Sequence, residues 1–90
     1  MLFMTTYSFE PAQKNEIVKR RMERGSGAPE GVKVVGECIS TDGLDGFLLI
    51  ETNDARVLMA GAGGWNDLMR LNTTPVIPAE EALAFVKSMK

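Results

Sequence analysis

Glu37 and Glu51 are the two side chains of this sequence best suited to general acid–base chemistry. Each is predicted to lie on a strand among apolar neighbours, and burial raises the pKa of a carboxyl group towards the range where it exchanges protons at neutral pH. The alternative, which we favour, is that they are rim carboxylates that pair with Lys33 or Arg70. A two-residue turn at 43–44 would point the two glutamates to opposite faces of a sheet, and a one-residue change of register would alter that. A looser hairpin loop that uses Gly46 is also possible.

Four residues are candidates for binding a ligand: Tyr7, Trp65, Arg70 and Asn72. Arg70 and Asn72 occupy alternate positions of a predicted strand, so they share a face, and such a polar row can line a pocket for an anionic or carbonyl-bearing molecule. Tyr7 and Trp65 could supply an aromatic wall. The same residues also fit a structural role, in which the polar pair faces solvent on an edge strand and Trp65 anchors helix packing.

The residue types that the chain lacks exclude several classes of enzyme. It contains no histidine and one cysteine, Cys38. This excludes Ser-His-Asp and Cys-His catalysis, histidine-ligated metals and zinc-finger spacings, so we expect no metal and no cofactor. Cys38 is predicted to be a small buried apolar residue of a strand. The glycine run 61–64 fails the dinucleotide-binding fingerprint, because Asn66 stands where the last glycine is needed and the run follows a helix.

Length and charge limit the possible partners. Ninety residues with a net charge of −2 predict one domain, spanning 1–90. Nucleic-acid binding is not expected, because the one basic run, 19–24, is predicted to be the solvated face of a helix. No apolar run approaches the roughly 20 residues of a membrane span, and the N-terminus lacks a signal-peptide core, so we expect no membrane association and a cytoplasmic location.

The chemical candidates must be positioned by a mixed set of strands and helices. Period-2 patterns predict strands over 2–9, 32–41, 47–52 and 68–77. Pro75 and Pro78 cannot donate in a ladder, so the last part of the fourth strand should lie at an edge or a bulge. A helix is predicted over 12–24, entered at Pro11, ended by Gly25 and followed by a loop over 25–31. A second helix is predicted to begin after a cap at Asn53 or Asp54, with its end near 61–64 left open, and a short terminal helix opens at Pro78. This order predicts a ferredoxin-like βαββαβ fold of the α+β class, a four-stranded antiparallel sheet with both main helices on one face.

The run 47–50, Phe-Leu-Leu-Ile, is apolar on both sides of its strand. A strand of this kind needs cover on each face of its sheet. The helices cover one face, whereas the other face, with these residues and Tyr7 or Met4, has nothing in the chain large enough to cover it. The sequence therefore predicts a homodimer in which a second sheet packs against the first.

Several segments together resemble one bacterial family, the domain of unknown function numbered 3303. They are the opening Met-Leu-Phe-Met with Tyr-Ser-Phe at 7–9, Pro-Glu-Gly-Val-Lys at 29–33, Gly-Phe to Glu-Thr at 46–52, and Trp-Asn-Asp-Leu to Thr-Pro-Val at 65–76. The resemblance spans nearly the whole chain and implies a dimeric α+β barrel. It brings no activity, cofactor or catalytic residue to transfer.

Three functional hypotheses follow. The leading one is a homodimeric domain that binds a small apolar-acidic molecule or a protein partner at the sheet rather than catalysing a reaction. The second is a cofactor-independent isomerase or oxygenase, with Glu37 or Glu51 as base and with Arg70 and Asn72 stabilising an oxyanion. The third is a structural subunit of a larger assembly. The second hypothesis requires a carboxylate and Arg70 to reach the same cavity.

Overall fold

Four strands and three α-helices form the part of the chain that the structure, a computed structural model, describes, residues 1–25 and 28–89. Their order confirms the predicted one. The elements are β1 (Leu2–Ser8), a 3-10 turn (Pro11–Gln13) that leads into α1 (Lys14–Arg24), β2 (Lys33–Ile39), β3 (Asp45–Glu51), α2 (Arg56–Gly63), β4 (Arg70–Val76) and α3 (Ala79–Ser88). Positions 26 and 27 of the predicted loop lie outside the described residues.

The four strands form one antiparallel sheet in the order β2-β3-β1-β4. This is the ferredoxin-like order, so the predicted α+β fold is confirmed. β4 is an edge strand, as its proline predicted. Pro75 pairs with Phe3 of β1 and has no backbone N–H to donate to a neighbouring strand, which an edge strand tolerates when that side of the residue faces away from the sheet.

The two faces of the sheet differ in what covers them. On the helix face, Thr5 and Tyr7 of β1 and Leu48 of β3 look towards α1 and α2. Alternate residues form the open face, which includes Met4 of β1 and Phe47 of β3. The sequence left open whether Tyr7 or Met4 lies on the uncovered side. The structure places Met4 there, and Phe47 remains 47% exposed.

The hydrophobic core is small and lies between β1, β3 and α1. Its buried apolar residues are Phe3, Ile17 and Ile50. The terminal helix α3 adds nothing to this core, since its apolar residues Leu83, Phe85 and Val86 are each more than half exposed. The radius of gyration is 15.0 Å, whereas a compact chain of this length has about 12 Å. The domain is therefore elongated, and many of its apolar side chains remain exposed.

The β2–β3 hairpin differs from the predicted two-residue turn. Its loop runs over 40–44 and is closed by the Ser40 N–H, which donates to the Asp45 carbonyl at 2.9 Å. Gly43 adopts the positive φ of 75° that favoured it as a turn residue. The suggested alternative, a looser loop that uses Gly46, is also wrong, because Gly46 lies within β3. Loops of four or five residues built around such a turn are common hairpin connections.

A β-bulge in β2 changes which face its residues occupy. The pairing with β3 shifts between Val34 and Gly36, so Val35 has no residue directly opposite. A bulge of this kind reverses the alternation of side chains beyond it. As a result Glu37 lies opposite Leu48 and points to the helix face, whereas Glu51 points to the open face. The two glutamates therefore point to opposite faces of the sheet, as expected. The observed register of β2 against β3 nevertheless differs from the one that a two-residue turn would produce.

The start and end of α2 are now defined. α2 begins at Arg56 with Ala55 as its N-cap residue, so the cap predicted at Asn53 or Asp54 falls one or two residues early. The Asp54 carboxylate still accepts a hydrogen bond from the Arg56 backbone N–H at 3.0 Å. The helix ends at Gly63. The chain then turns through Trp65 towards β4, and this places the tryptophan between the two helices and the sheet.

Candidate functional site

A cavity of about 550 Å³ lies between α1 and the helix face of the sheet. This volume is within the range of about 300–1,000 Å³ that is usual for small-molecule sites. The walls are mostly apolar, with a few polar side chains. The floor and walls are formed by Thr5, Tyr7, Phe9, Glu37, Ile39, Leu48, Trp65, Met69 and Leu71, and α1 covers them with Lys14, Ile17, Val18, Arg21 and Met22.

Tyr7, Glu37 and Arg21 form a polar cluster on one wall of the cavity. The Tyr7 hydroxyl donates to Glu37 Oε2 at 2.6 Å. Arg21 donates to the same carboxylate through both terminal nitrogens, at 3.0 Å to Oε2 and 2.6 Å to Oε1. A paired arginine–carboxylate contact fixes both orientation and distance. The cluster therefore joins α1 to β1 and β2 across the cavity.

The cluster fixes the protonation states of its members. The Arg21 hydrogen bonds hold the pKa of the Glu37 carboxyl below its ordinary value, against the opposing effect of burial. Burial, followed by the hydrogen bond to Glu37, raises the pKa of the Tyr7 phenol. At neutral pH Glu37 is ionised and Tyr7 is protonated. The expected general base with a raised pKa is therefore wrong for Glu37, and so is its expected pairing with Lys33 or Arg70.

A glycine beneath Tyr7 makes this geometry possible. The Tyr7 ring lies over Gly46 of β3, and a Cβ atom at position 46 would overlap the ring carbons and the hydroxyl. No other amino acid is compatible with the observed ring position. The wall of the cavity thus depends on a residue that itself has no side chain.

Trp65 is held against α1 by a second arginine. Arg20 donates to the two carboxylate oxygens of Asp67 at 2.7 and 3.0 Å, and to the Gly64 carbonyl at 2.9 Å. Its guanidinium carbon lies 5.8 Å from the centre of the Trp65 ring, within the range of a cation–π contact. The basic run was predicted to be a solvated helix face, which is wrong for Arg20, whereas Arg21 remains exposed even though it is ion-paired. No local pattern pointed to the carboxylate partners of these two arginines, which are 47 and 16 residues away.

Lys14 is a cation at the mouth of the cavity that the polar cluster does not neutralise. Its Nζ lies beside Gly43 of the hairpin loop. Among residues 1–25 and 28–89, no side chain or backbone group makes a hydrogen bond or ion pair with this ammonium group. Lys14 was not among the predicted site residues, because an exposed lysine at the start of a helix carries no sequence signal for a site.

The predicted ligand-binding residues are divided between the two faces. Tyr7 and Trp65 line the same cavity, as an aromatic wall requires. Arg70 and Asn72 share a face, as expected, but it is the open face, where they line a groove of about 240 Å³ with Thr6, Ser8, Asp45 and Phe47. The four residues therefore do not form one site.

The arrangement required for the enzyme hypothesis is not assembled. Glu37 reaches the cavity on the helix face, on the other side of the sheet from Arg70 and Asn72. Glu51 shares the open face with Arg70, but Glu51 pairs with Leu2 and Arg70 pairs with Ser8. Those positions are six residue steps apart along β1, which is about 20 Å along a strand. Neither carboxylate acts together with Arg70.

Three further features concern cysteine, metals and membranes. The thiol of Cys38 is exposed on the open face, so its prediction as a buried residue is wrong. Within the described ranges, no three carboxylate or thiol side chains come together as possible metal ligands. In the same part of the chain, no helix has the length and apolar character needed to cross a bilayer.

The strand order and helix placement define the class of this protein, a ferredoxin-like α+β domain with a cavity beneath its first helix. The chain belongs to the DUF3303 family, a domain of unknown function, whose family model matches residues 1–90. No curated protein matches the chain. Among solved structures, it is similar to an uncharacterized NIPSNAP domain protein from Burkholderia xenovorans, with a TM-score of 0.51 and 16% sequence identity over 88% of this chain and 95% of that one. At this identity the similarity shows the fold alone.

Proposed function

We propose that this domain is a homodimeric binding module, and that each copy holds a small, mostly apolar carboxylic acid in the cavity between α1 and the sheet. The observation that carries the proposal is the cavity of about 550 Å³ itself, which is apolar over most of its wall. Burial of an apolar chain there would yield roughly 25 cal/mol for each Å² removed from water.

The charges around the cavity favour an acid over a neutral or cationic ligand. Glu37 is already neutralised by Arg21 and is held ionised, so it does not serve as the partner of a ligand cation. Lys14, which also lines the cavity, has no carboxylate oxygen within ion-pair distance among the described residues, although its charge contributes to lowering the pKa of Asp42 in the hairpin loop. A ligand carboxylate beside Lys14 would complete the pairing, while the apolar part of the ligand lies against Ile17, Leu48 and Trp65.

Trp65 is the only tryptophan in the chain, so its fluorescence reports occupancy of the cavity directly. We expect decanoate to shift or quench this fluorescence in a saturable manner. Val18→Phe would fill the cavity from α1 and should weaken decanoate binding at least about tenfold, a change of about 1.4 kcal/mol.

Val86→Phe in α3 is the matched control, because Val86 is as exposed as Val18, at 52% and 48%, and does not line the cavity. Binding that is unaffected by Val18→Phe, or a lack of any saturable signal at millimolar decanoate, would contradict the ligand proposal.

The homodimer is supported by a separate observation, the uncovered open face of the sheet. Phe47 is exposed on this face, Met4 shares it, and the described residues that line its groove all belong to β1, β3 and β4. An apolar sheet face of this kind is usually covered by another sheet, at a spacing of about 10 Å. Sedimentation equilibrium should give twice the chain mass of 9.8 kDa, and a monomer at all accessible concentrations would refute this part of the proposal.

A further inference from the structure

Two opposite charges on the open face lie at the same level of the sheet. Ser8 of β1 pairs with Asp45 of β3 on one side and with Arg70 of β4 on the other. Asp45 and Arg70 thus flank β1 at about 10 Å from each other, two strand spacings apart. Among residues 1–25 and 28–89, neither side chain makes a hydrogen bond or ion pair.

The geometry points to a reciprocal ion pair between copies, in which Arg70 of each chain binds Asp45 of the other across a two-fold axis that runs along β1. This inference rests on the proposed homodimer and specifies how the two sheets are aligned. A dimer interface with two-fold symmetry uses the same surface on both copies, so a contact between residues i and j occurs twice.

Aligned packing of the open faces allows a two-fold axis parallel to the strands or across them. A parallel axis between β1 and β3 would place β4 of one copy over β2 of the other and leave Asp45 and Arg70 unpaired, so the pairing of these two charges requires the axis along β1. With the axis along β1, β1 lies on β1 and β4 of one copy lies over β3 of the other. Positions keep their level along the strands, so Arg70 stands opposite Asp45 on both sides of the axis. The long arginine and the short aspartate together suit a sheet separation of about 10 Å.

With the axis across the strands, each strand lies over its own copy and its direction is reversed. Asp45 and Glu51 are the first and last residues of β3 and both belong to the open face. This alignment would place Asp45 opposite the Glu51 carboxylate of the other copy, twice in each dimer. Like charges brought together at an interface disfavour association, so the charge pattern selects the axis along β1.

The test is a charge exchange measured by sedimentation equilibrium. Arg70→Asp alone and Asp45→Arg alone should each raise the dimer Kd at least about tenfold, because each places two like-charged pairs in the interface. The double variant Arg70→Asp/Asp45→Arg restores opposite charges and should return the Kd to within about threefold of the original.

Lys33→Asp is the control, since it makes the same charge change on the open face. Lys33 lies on β2, which this alignment leaves outside the overlap of the two sheets, so its Kd should change by less than about threefold. Circular dichroism establishes that each variant is folded. A wild-type dimer that is insensitive to the single reversals, or a double variant that is not restored, overturns the ion pair and leaves the homodimer standing. A monomeric wild-type chain overturns both.

Discussion

The Tyr7 ring lies directly over the α-carbon of Gly46, its cross-strand neighbour, and its hydroxyl reaches the Glu37 carboxylate at 2.6 Å. This contact between the largest side chain on the cavity wall of β1 and a residue with none determines where the polar cluster sits. Substitution of Gly46 changes the space available to the Tyr7 ring, whereas substitution of Glu37 changes the charge beside its hydroxyl, so the two effects can be measured separately.

Gly46→Ala should displace the Tyr7 ring, because the added methyl group occupies the position of the ring. We expect a loss of about 1–3 kcal/mol in the free energy of unfolding, measured by chemical denaturation. Gly36→Ala is a suitable control, since a Cβ atom there meets nothing within 4 Å. In a Tyr7→Ala background, Gly46→Ala should cost much less, and equal costs in both backgrounds would refute the steric account.

Glu37→Gln should weaken the connection of α1 to the sheet. The carboxylate accepts three hydrogen bonds, two from Arg21 and one from Tyr7. Because the Arg21 side chain is 44% exposed, water compensates in part, and we expect a loss of about 1–2 kcal/mol in unfolding free energy. The exposed pair of Asp54 and Arg56 provides the comparison. Asp54→Asn removes the charge from a similar paired contact, while the amide oxygen can still accept from the Arg56 backbone N–H, so it should cost clearly less than Glu37→Gln.

The ionisation of Tyr7 can be followed without ambiguity, because it is the only tyrosine. Its pKa is raised above the ordinary value of 10.0 by burial and then by the hydrogen bond to Glu37. Phenolate absorbance should therefore appear only well above pH 10 in the folded protein and near pH 10 in the denatured one. Because the pKa of Tyr7 is higher in the folded than in the unfolded chain, the protonated phenol stabilises the folded state below pH 10. This stabilisation is lost as the pH rises through the folded pKa. Glu37→Gln should return the pKa only part of the way, since burial remains.

Glu37 should produce the opposite dependence at acid pH. Its folded pKa lies below the ordinary 4.5, so the unfolded chain binds the proton first as the pH falls. The stability from this group is complete above about pH 5 and is lost as the pH drops through the lowered folded pKa. The free energy of unfolding, measured by chemical denaturation at about 0.5-unit steps between pH 6 and 3, should fall more steeply with decreasing pH for the wild type than for Glu37→Gln. Parallel curves would show that the carboxylate is not held ionised by Arg21.

Phe85 and Phe3 should differ sharply in their contributions to stability. Phe3→Ala empties a core position that is 6% exposed, and should cost about 3–5 kcal/mol. Phe85 in α3 is 63% exposed, so Phe85→Ala should change the unfolding free energy by less than about 0.5 kcal/mol. A cost above about 1 kcal/mol for Phe85→Ala would show that α3 packs against another surface in the assembled protein.

The order of the elements could be predicted because local patterns encode it. The alternation in 2–9, the proline at the entrance to the first helix and the apolar run 47–50 depend only on neighbours in the sequence, and the observed strands and helices follow them within a few residues. The edge position of β4 followed from Pro75 for the same reason, since the missing N–H is a property of the residue itself.

The site could be predicted only in part. Tyr7 and Trp65 were recognised as an aromatic pair, and they do line one cavity. The partners of Arg20 and Arg21 were missed because a salt bridge between distant segments leaves no periodic signal. Arg70 and Asn72 were correctly placed on a common face, but which face that is depends on the packing of helices that the strand pattern does not specify.

By itself, the sequence determined the class of fold, the uncovered apolar face and the lack of histidine chemistry, because these follow from residue type and short-range period. Only the tertiary structure decided that Glu37 enters the cavity. The hairpin loop over 40–44 and the extra residue Val35 set the register of β2 against β3, and an alternation of period 2 is reversed by a single inserted residue. Gly46 of β3 then leaves space for the Tyr7 ring of β1 to reach Glu37. This contact depends on how the strands pair, which the sequence of a single strand does not specify.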